Sequence, residues 1–443
     1  MAKRNRKSQT AKRPSSLLDQ LGWWIVAVFA FAMPLFVSPT GKDSFRLPKD
    51  VLFRAEGILF IGLFLLAMTW SRFSWREIPR RSPVIIVPVA AVVWTCLATA
   101  VSTNRTLSVL SLRTVVFAAA IFIGTTIILR SKDERAFLPL LLAAAINGFV
   151  YLLQEFGIWS PFGMTSAFLG HNSSSGFLGN ANDVGSALLG PVLAAIAAAL
   201  ATSRRRLLNS AIGALLLVTL MVSRSLTAIG AVIAGLLTMA LMRFGRRAAL
   251  PLFLVMGVTV GLIFAIPPLR ARLVSLQQMI GRHDYDEVLS GRTSAFRAAT
   301  AMFLDHPVTG TGPGTFGWHY MPYKLRIDEE SPAVGETSVA ARYNFEEAHN
   351  DHLEVLAETG LPGYVILLSA LVMLGSISLR RRDEEPTGRG ESRTFISRLL
   401  ALPLAVGFFV LALAQYPLQL ASATAILLFL TAACFAWRGS ETL

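Results

Sequence analysis

The segment 346–363, EEAHNDHLEVLAETGLPG, holds the densest collection of side chains able to move a proton. His349 and His352 are spaced i, i+3, which puts them on one face of a helix beside Glu346 and Leu353. A histidine near its ordinary pKa of about 6.5, at a water boundary, suits a general base. The same pair also fits a solvated amphipathic helix. A metal site with Asp351 is disfavoured, since no HExxH pattern is present and Asp351 turns to another face.

A second chemistry is anion binding by guanidinium groups, whose forked N–H donors match phosphate. Arg224 lies in the turn of LMVSRSLTAIG, and Arg292 opens the helical pattern GRTSAFRAAT, with Arg297 five residues on. Arg54 and Arg113 stand in the first turns of apolar runs, where snorkelling to lipid headgroups explains them equally well. Arg224 has no neighbouring charge in its turn, so an anion is a better reason for it. The glycine-rich stretch 310–317, GTGPGTFG, lacks the Lys-Ser/Thr ending of a phosphate loop and reads as a turn between helices. Asp284 and Asp286 form a D-x-D, and Asn172 starts an N-x-S pattern; both arise readily by chance in a polar loop.

These residues must be carried by membrane helices. The chain has 443 residues, 53% hydrophobic and 15% charged, with mean hydropathy +0.56, too apolar for a soluble protein of this length. Apolar runs long enough to cross a bilayer number twelve, at about 21–39, 51–70, 83–102, 108–130, 136–155, 185–202, 206–222, 226–243, 249–266, 360–378, 398–415 and 418–437. Alternate loops are rich in Lys and Arg, beginning with residues 1–13, so both termini are expected in the cytoplasm. The net charge of +14 is then a topology signal, not a nucleic-acid footprint. Cys96 and Cys434 lie inside apolar runs and read as packing residues.

The chain divides into a basic cytoplasmic tail (1–20), nine spans (21–266), an outer loop (267–359) and three more spans with a short C-terminus (360–443). That loop is too long for a connector and carries helical periodicity, so it is expected to be a mainly helical subdomain on the outer face. The fold class is thus all-α and polytopic. All six histidines (His171, His283, His306, His319, His349 and His352) fall on that face. Twelve spans also suit a secondary transporter or lipid flippase, which would place ionisable residues near the bilayer midplane. Here the charges gather at the outer interface, which favours surface chemistry.

Four segments resemble the O-antigen ligase and polymerase superfamily of bacterial envelope glycosyltransferases. AHNDHLEVLAETGLPG looks like its hallmark, through His349, Asn350, Leu353, Leu356, Glu358, Gly360 and Gly363. Residues 290–316 look like the upstream half of its large periplasmic loop, from Arg292 through His306 and Pro307 to Gly310, Gly312, Gly314 and Phe316. Ser223 with Arg224, and Asn180 with Asn182, resemble weaker motifs at the eighth and sixth spans. His352 departs from the pattern, which more often has an aromatic or aliphatic residue there.

The resemblance implies transfer of a glycan from undecaprenyl diphosphate, in the bacterial inner membrane, without metal or other cofactor. The acceptor is a lipid A core sugar in the ligase branch, another carrier-linked repeat in the polymerase branch, or a protein serine in a third; the ligase branch is favoured. It assigns His349 as base and Arg224 and Arg292 as diphosphate ligands. Asn350, Glu358, Asn180, Asn182, Arg297 and His352 are supporting residues. The expected partners are carrier-linked O-antigen, lipid A core oligosaccharide and membrane lipids, with no nucleic acid.

Overall fold

A computed structural model describes residues 17–40, 43–70, 83–163, 174–245, 267–282, 291–330, 344–379 and 389–438, with isolated positions between. Among them every regular element is helical. In chain order these are α1 (Leu17–Ala32), α2 (Arg46–Trp70), α3 (Pro83–Ala100), α4 (Arg105–Leu129), α5 (Leu138–Glu155), α6 (Ala181–Ala201), α7 (Arg206–Ser223) and α8 (Leu226–Phe244), then α9 (Pro267–Gly281), α10 (Thr293–Asp305), α11 (Phe316–Glu330), α12 (Asp351–Ser376), α13 (Arg389–Ala412) and α14 (Ala421–Ala436).

Among the described residues eight helices, α2, α4, α5, α6, α7, α8, α12 and α13, are long and apolar enough to cross a membrane. Shorter apolar helices, α1, α3 and α14, stand at three further expected spans. The run at 249–266 lies almost wholly outside the described residues, as do most of the basic tail, His171, Asn172, His283, Asp284 and Asp286. α6 is the central helix, packed by α7, α8, α13 and α14. Its sequence, GSALLGPVLAAIAAALA, offers mostly small side chains, which let backbones approach where lipid supplies no hydrophobic drive. α4 joins α2, α3 and α14, and α5 joins α1 and α7.

The segment between α8 and α12 builds a second, smaller core. Ala295, Ala298, Ala299 and Met302 of α10 meet Phe316 and Tyr320 of α11, with Ala348 and Ala357 closing it. α10 also packs on α12, so this unit sits on the end of the bundle that carries His349. Buried Lys49 braces the same end by donating to the carbonyls of Phe36, Phe45 and Phe177 at 2.9, 3.0 and 2.6 Å.

Two expectations need correcting. Glu346, His349, His352 and Leu353 do not share a helix face, because α12 begins only at Asp351: the Asn350 side chain caps it by accepting the Leu353 amide at 3.0 Å. Nor are all ionisable groups at the bundle ends. Glu56 lies ten residues into α2, about 15 Å along it, buried among Val26, Phe29, Met33, Ile121, Leu140 and Phe429.

Candidate functional site

His349 sits on the strap before α12 in the left-handed region, φ 54°. Arg224 is there too, φ 58°, at the C-cap of α7. Only one other non-glycine among the described residues, Phe162, has a positive φ. Such backbone persists where its surroundings over-determine it, and it gathers at functional sites. Downstream of His349, Asn350 donates to Leu413 O at 2.9 Å, and the Asp351 carboxylate accepts the Leu418 amide at 2.9 Å. Both bonds pull in the 413–418 strap, which joins α13 to α14. Tyr416 on that strap meets the His349 ring edge to face at 4.5 Å, and Phe345 flanks it at 5.5 Å. His349 Nδ1 is buried with no hydrogen-bond partner.

Two guanidiniums act on this imidazole. Arg292, just before α10, donates to Ala414 O at 2.8 Å. Arg46, the first residue of α2, donates to the Tyr416 hydroxyl at 2.5 Å and pairs with Asp183 at 3.4 Å and Glu347 at 3.3 Å. Burial, then Arg292 and Arg46, push the His349 pKa down to about 3. All three influences favour the neutral ring over the imidazolium. Burial draws Arg292 below its ordinary value and raises Glu347 and Tyr416 above theirs, with Arg46 opposing the rise in both.

Arg224 is attached to the cluster from the other side. Its guanidinium donates to Glu155 at 2.9 Å, a counter-charge that the local sequence does not reveal. The neighbouring Ser225 hydroxyl donates to Asn182 at 2.9 Å, and the Asn180 side chain caps α6 by accepting the amides of Asn182 and Asp183. Since Asp183 then meets Arg46, the first turn of α6 links the Arg224 turn to the His349 strap. Asn180 and Asn182 thus serve as braces.

Glu358 accepts the amides of Gly314 at 2.7 Å and Phe316 at 2.9 Å, while Thr311 and Gly312 donate to the carbonyls of Ala357 and Glu358. The glycine-rich stretch spends these amides on α12, in keeping with turn chemistry. His352 is turned away from His349: its Nε2 lies 3.1 Å from Phe409 O, between the rings of Phe409 and Tyr364. Arg297 is half-buried on α10 and makes no ion pair among the described residues. His319 contacts Thr103 at 2.7 Å. No group of three or more potential metal-ligating side chains is found among the described residues.

Arg46, Asp183, Glu347 and Tyr416 are additions that the sequence reading missed. The available signal was an arginine beside an Asp-bearing span start, in FRLPKD, and a polar break between two apolar runs, AQYPLQ. Beside the 413–418 strap an apolar cavity of about 240 Å³ opens between α3, α4, α12, α13 and α14, lined by Pro88, Phe122, Leu371, Phe408, Leu418 and Phe435.

Residues 211–368 match the family model described as O-Antigen ligase. The match takes in Arg224, Arg292, His349 and Glu358 and leaves out Arg46, Asp183 and Tyr416. No curated protein matches the chain.

Proposed function

From the match of residues 211–368 to the O-Antigen ligase family model, we propose that this chain moves O-antigen polysaccharide from undecaprenyl diphosphate to a sugar hydroxyl of lipid A core. The reaction takes place at the periplasmic face of the bacterial inner membrane, with twelve spans and both termini in the cytoplasm. The observation that supports it most is the placement of His349: a left-handed turn, a buried ring nitrogen with no hydrogen-bond partner, and contact with the Tyr416 strap, to which Arg292 and Arg46 both bond.

The transfer is an inverting single displacement. His349 takes the acceptor hydroxyl proton as the oxygen bonds to the anomeric carbon. The bond from that carbon to diphosphate breaks, and the electron pair leaves with the carrier. Arg224 and Arg292 bind the departing diphosphate, so fixed guanidiniums take the role that a divalent ion plays elsewhere. Asn350 and Glu358 hold the strap and the glycine-rich turn on α12. The apolar cavity beside the strap suits a lipid chain, and ionic chemistry at the bundle end supports transfer over transport.

The test is purified protein with carrier-linked glycan and defined lipid A core. Capped core made by wild type and lost in His349→Ala supports the reading. Elongated carrier-linked glycan without capping would assign the polymerase branch instead.

A further inference from the structure

We propose that Glu354 is the positioning residue of His349: by accepting the Ala348 amide, its carboxylate holds the left-handed turn that presents the imidazole to the acceptor hydroxyl. The inference rests on the reading of His349 as the base.

The need for such a residue comes from the backbone. His349 adopts φ 54°, a conformation that is unfavourable for an L residue and is kept where the surrounding chain fixes it. Downstream it is fixed by the Asn350 cap and by the Asp351 amide, which donates to Gln415 O at 3.3 Å. Upstream, one residue before His349, the Ala348 N–H donates to Glu354 Oε2 at 2.7 Å. Ala348 is fully buried and Glu354 is 3% exposed, so water does not stand in for this acceptor.

The spacing differs from a capping box, in which an acid at the third helical position returns to the cap residue's own amide. Glu354 is at the fourth position and reaches two residues further back. The backbone between the two anchors is thereby wrapped into a turn that throws His349 outward against Tyr416. Glu354 belongs to a set: Asp351 holds the Tyr416 strap, Glu354 the His349 strap and Glu358 the glycine-rich turn, each through backbone amides. The first turns of α12 thus order three separate chain segments, two of which meet at the His349 ring.

The test is steady-state transfer by the full-length protein in detergent or nanodiscs, per folded molecule. Glu354→Ala is expected to lower kcat on the order of 100-fold with donor KM unchanged within about twofold, the signature of a misplaced reacting group. Glu354→Gln, which keeps an acceptor oxygen, is expected to stay within about threefold of wild type. In a His349→Ala background, Glu354→Ala should cost nothing further. Should the Ala variant not fold, Glu354→Asp, shorter by one methylene, takes its place with the same expected kcat loss. Wild-type kcat in Glu354→Ala or Glu354→Asp overturns the proposal, as does a Gln variant as slow as the Ala variant or an additive double variant. Wild-type turnover by His349→Ala alone would instead remove the base assignment on which it rests.

Discussion

The His349 and Tyr416 rings meet edge to face with centroids 4.5 Å apart and planes at 89°, and the Tyr416 hydroxyl is held by Arg46. One side chain from between the last two helices thereby fixes both the imidazole plane and a guanidinium from α2. Such a ring pair contributes about 0.5–1.5 kcal/mol, and a hydrogen bond to a charged donor about 1.5–3 kcal/mol. Tyr416→Phe should keep the ring contact and lose the bond to Arg46, lowering kcat by roughly tenfold. Tyr416→Ala removes both and should cost about 100-fold. Single-turnover rates of the two variants check the order; a Phe variant as slow as the Ala variant would show that the hydroxyl, not the ring, sets the imidazole.

The low pKa of His349 fixes a pH dependence. Burial, Arg292 and Arg46 hold it at about 3, so the acid limb of kcat/KM should lie far below the usual histidine range near 6.5, with little loss between pH 8 and pH 5. Diphosphate bound at Arg292 sets negative charge there and raises the His349 pKa in the complex. The acid limb of kcat should therefore stand at higher pH than that of kcat/KM. Stability follows the same sign: a histidine whose folded pKa is depressed contributes fully above about 6.5 and loses that contribution as pH falls from 6.5 towards 3. Coincident limbs near 6.5 would contradict the arrangement.

Arg292 and Arg224 should be separable by one experiment. Both are assigned to the diphosphate, yet of these two only Arg292 is among the charges acting on His349. Replacing either with Ala should raise donor KM by about 10–100-fold, the effect of losing one or two charge-assisted hydrogen bonds. Arg292→Ala should in addition shift the kcat/KM acid limb upward, by relieving repulsion of the imidazolium. Arg224→Ala should leave that limb in place.

How far the sequence goes is clearest at α12. The motif from His349 to Gly363 falls within the residues that match the family model, and helical periodicity marked α10. The helix start was misread, since Asn350 reads as an interior residue unless its cap bond to Leu353 is known. Arg46, Asp183 and Tyr416 escaped because each lies at the end of an apolar run, far in sequence from His349, and only packing of α2, α6 and the 413–418 strap brings them together. Local pattern reports which face of a segment is apolar; it does not report which segment ends become neighbours. The counter-charge of Arg224 was hidden for the same reason, since Glu155 is 69 residues away.

Glu56 offers the sharpest separation between transfer and transport. It is 6% exposed in the middle of α2 with apolar neighbours and makes no ion pair among the described residues. Ionisable groups at such depth usually mark a proton or ion path, which is how a transporter would use it. A transferase working at the bundle end has no step for a proton there. Glu56→Gln keeps the volume and hydrogen-bonding capacity while removing the titratable group, so glycan transfer and thermal stability should both stay near wild type. Glu56→Lys should fail to accumulate, because a fixed cation would be forced into the apolar core. Transfer rates and melting curves of the two variants decide the matter: a well-folded Gln variant that has lost turnover would place proton movement through the bundle in the mechanism.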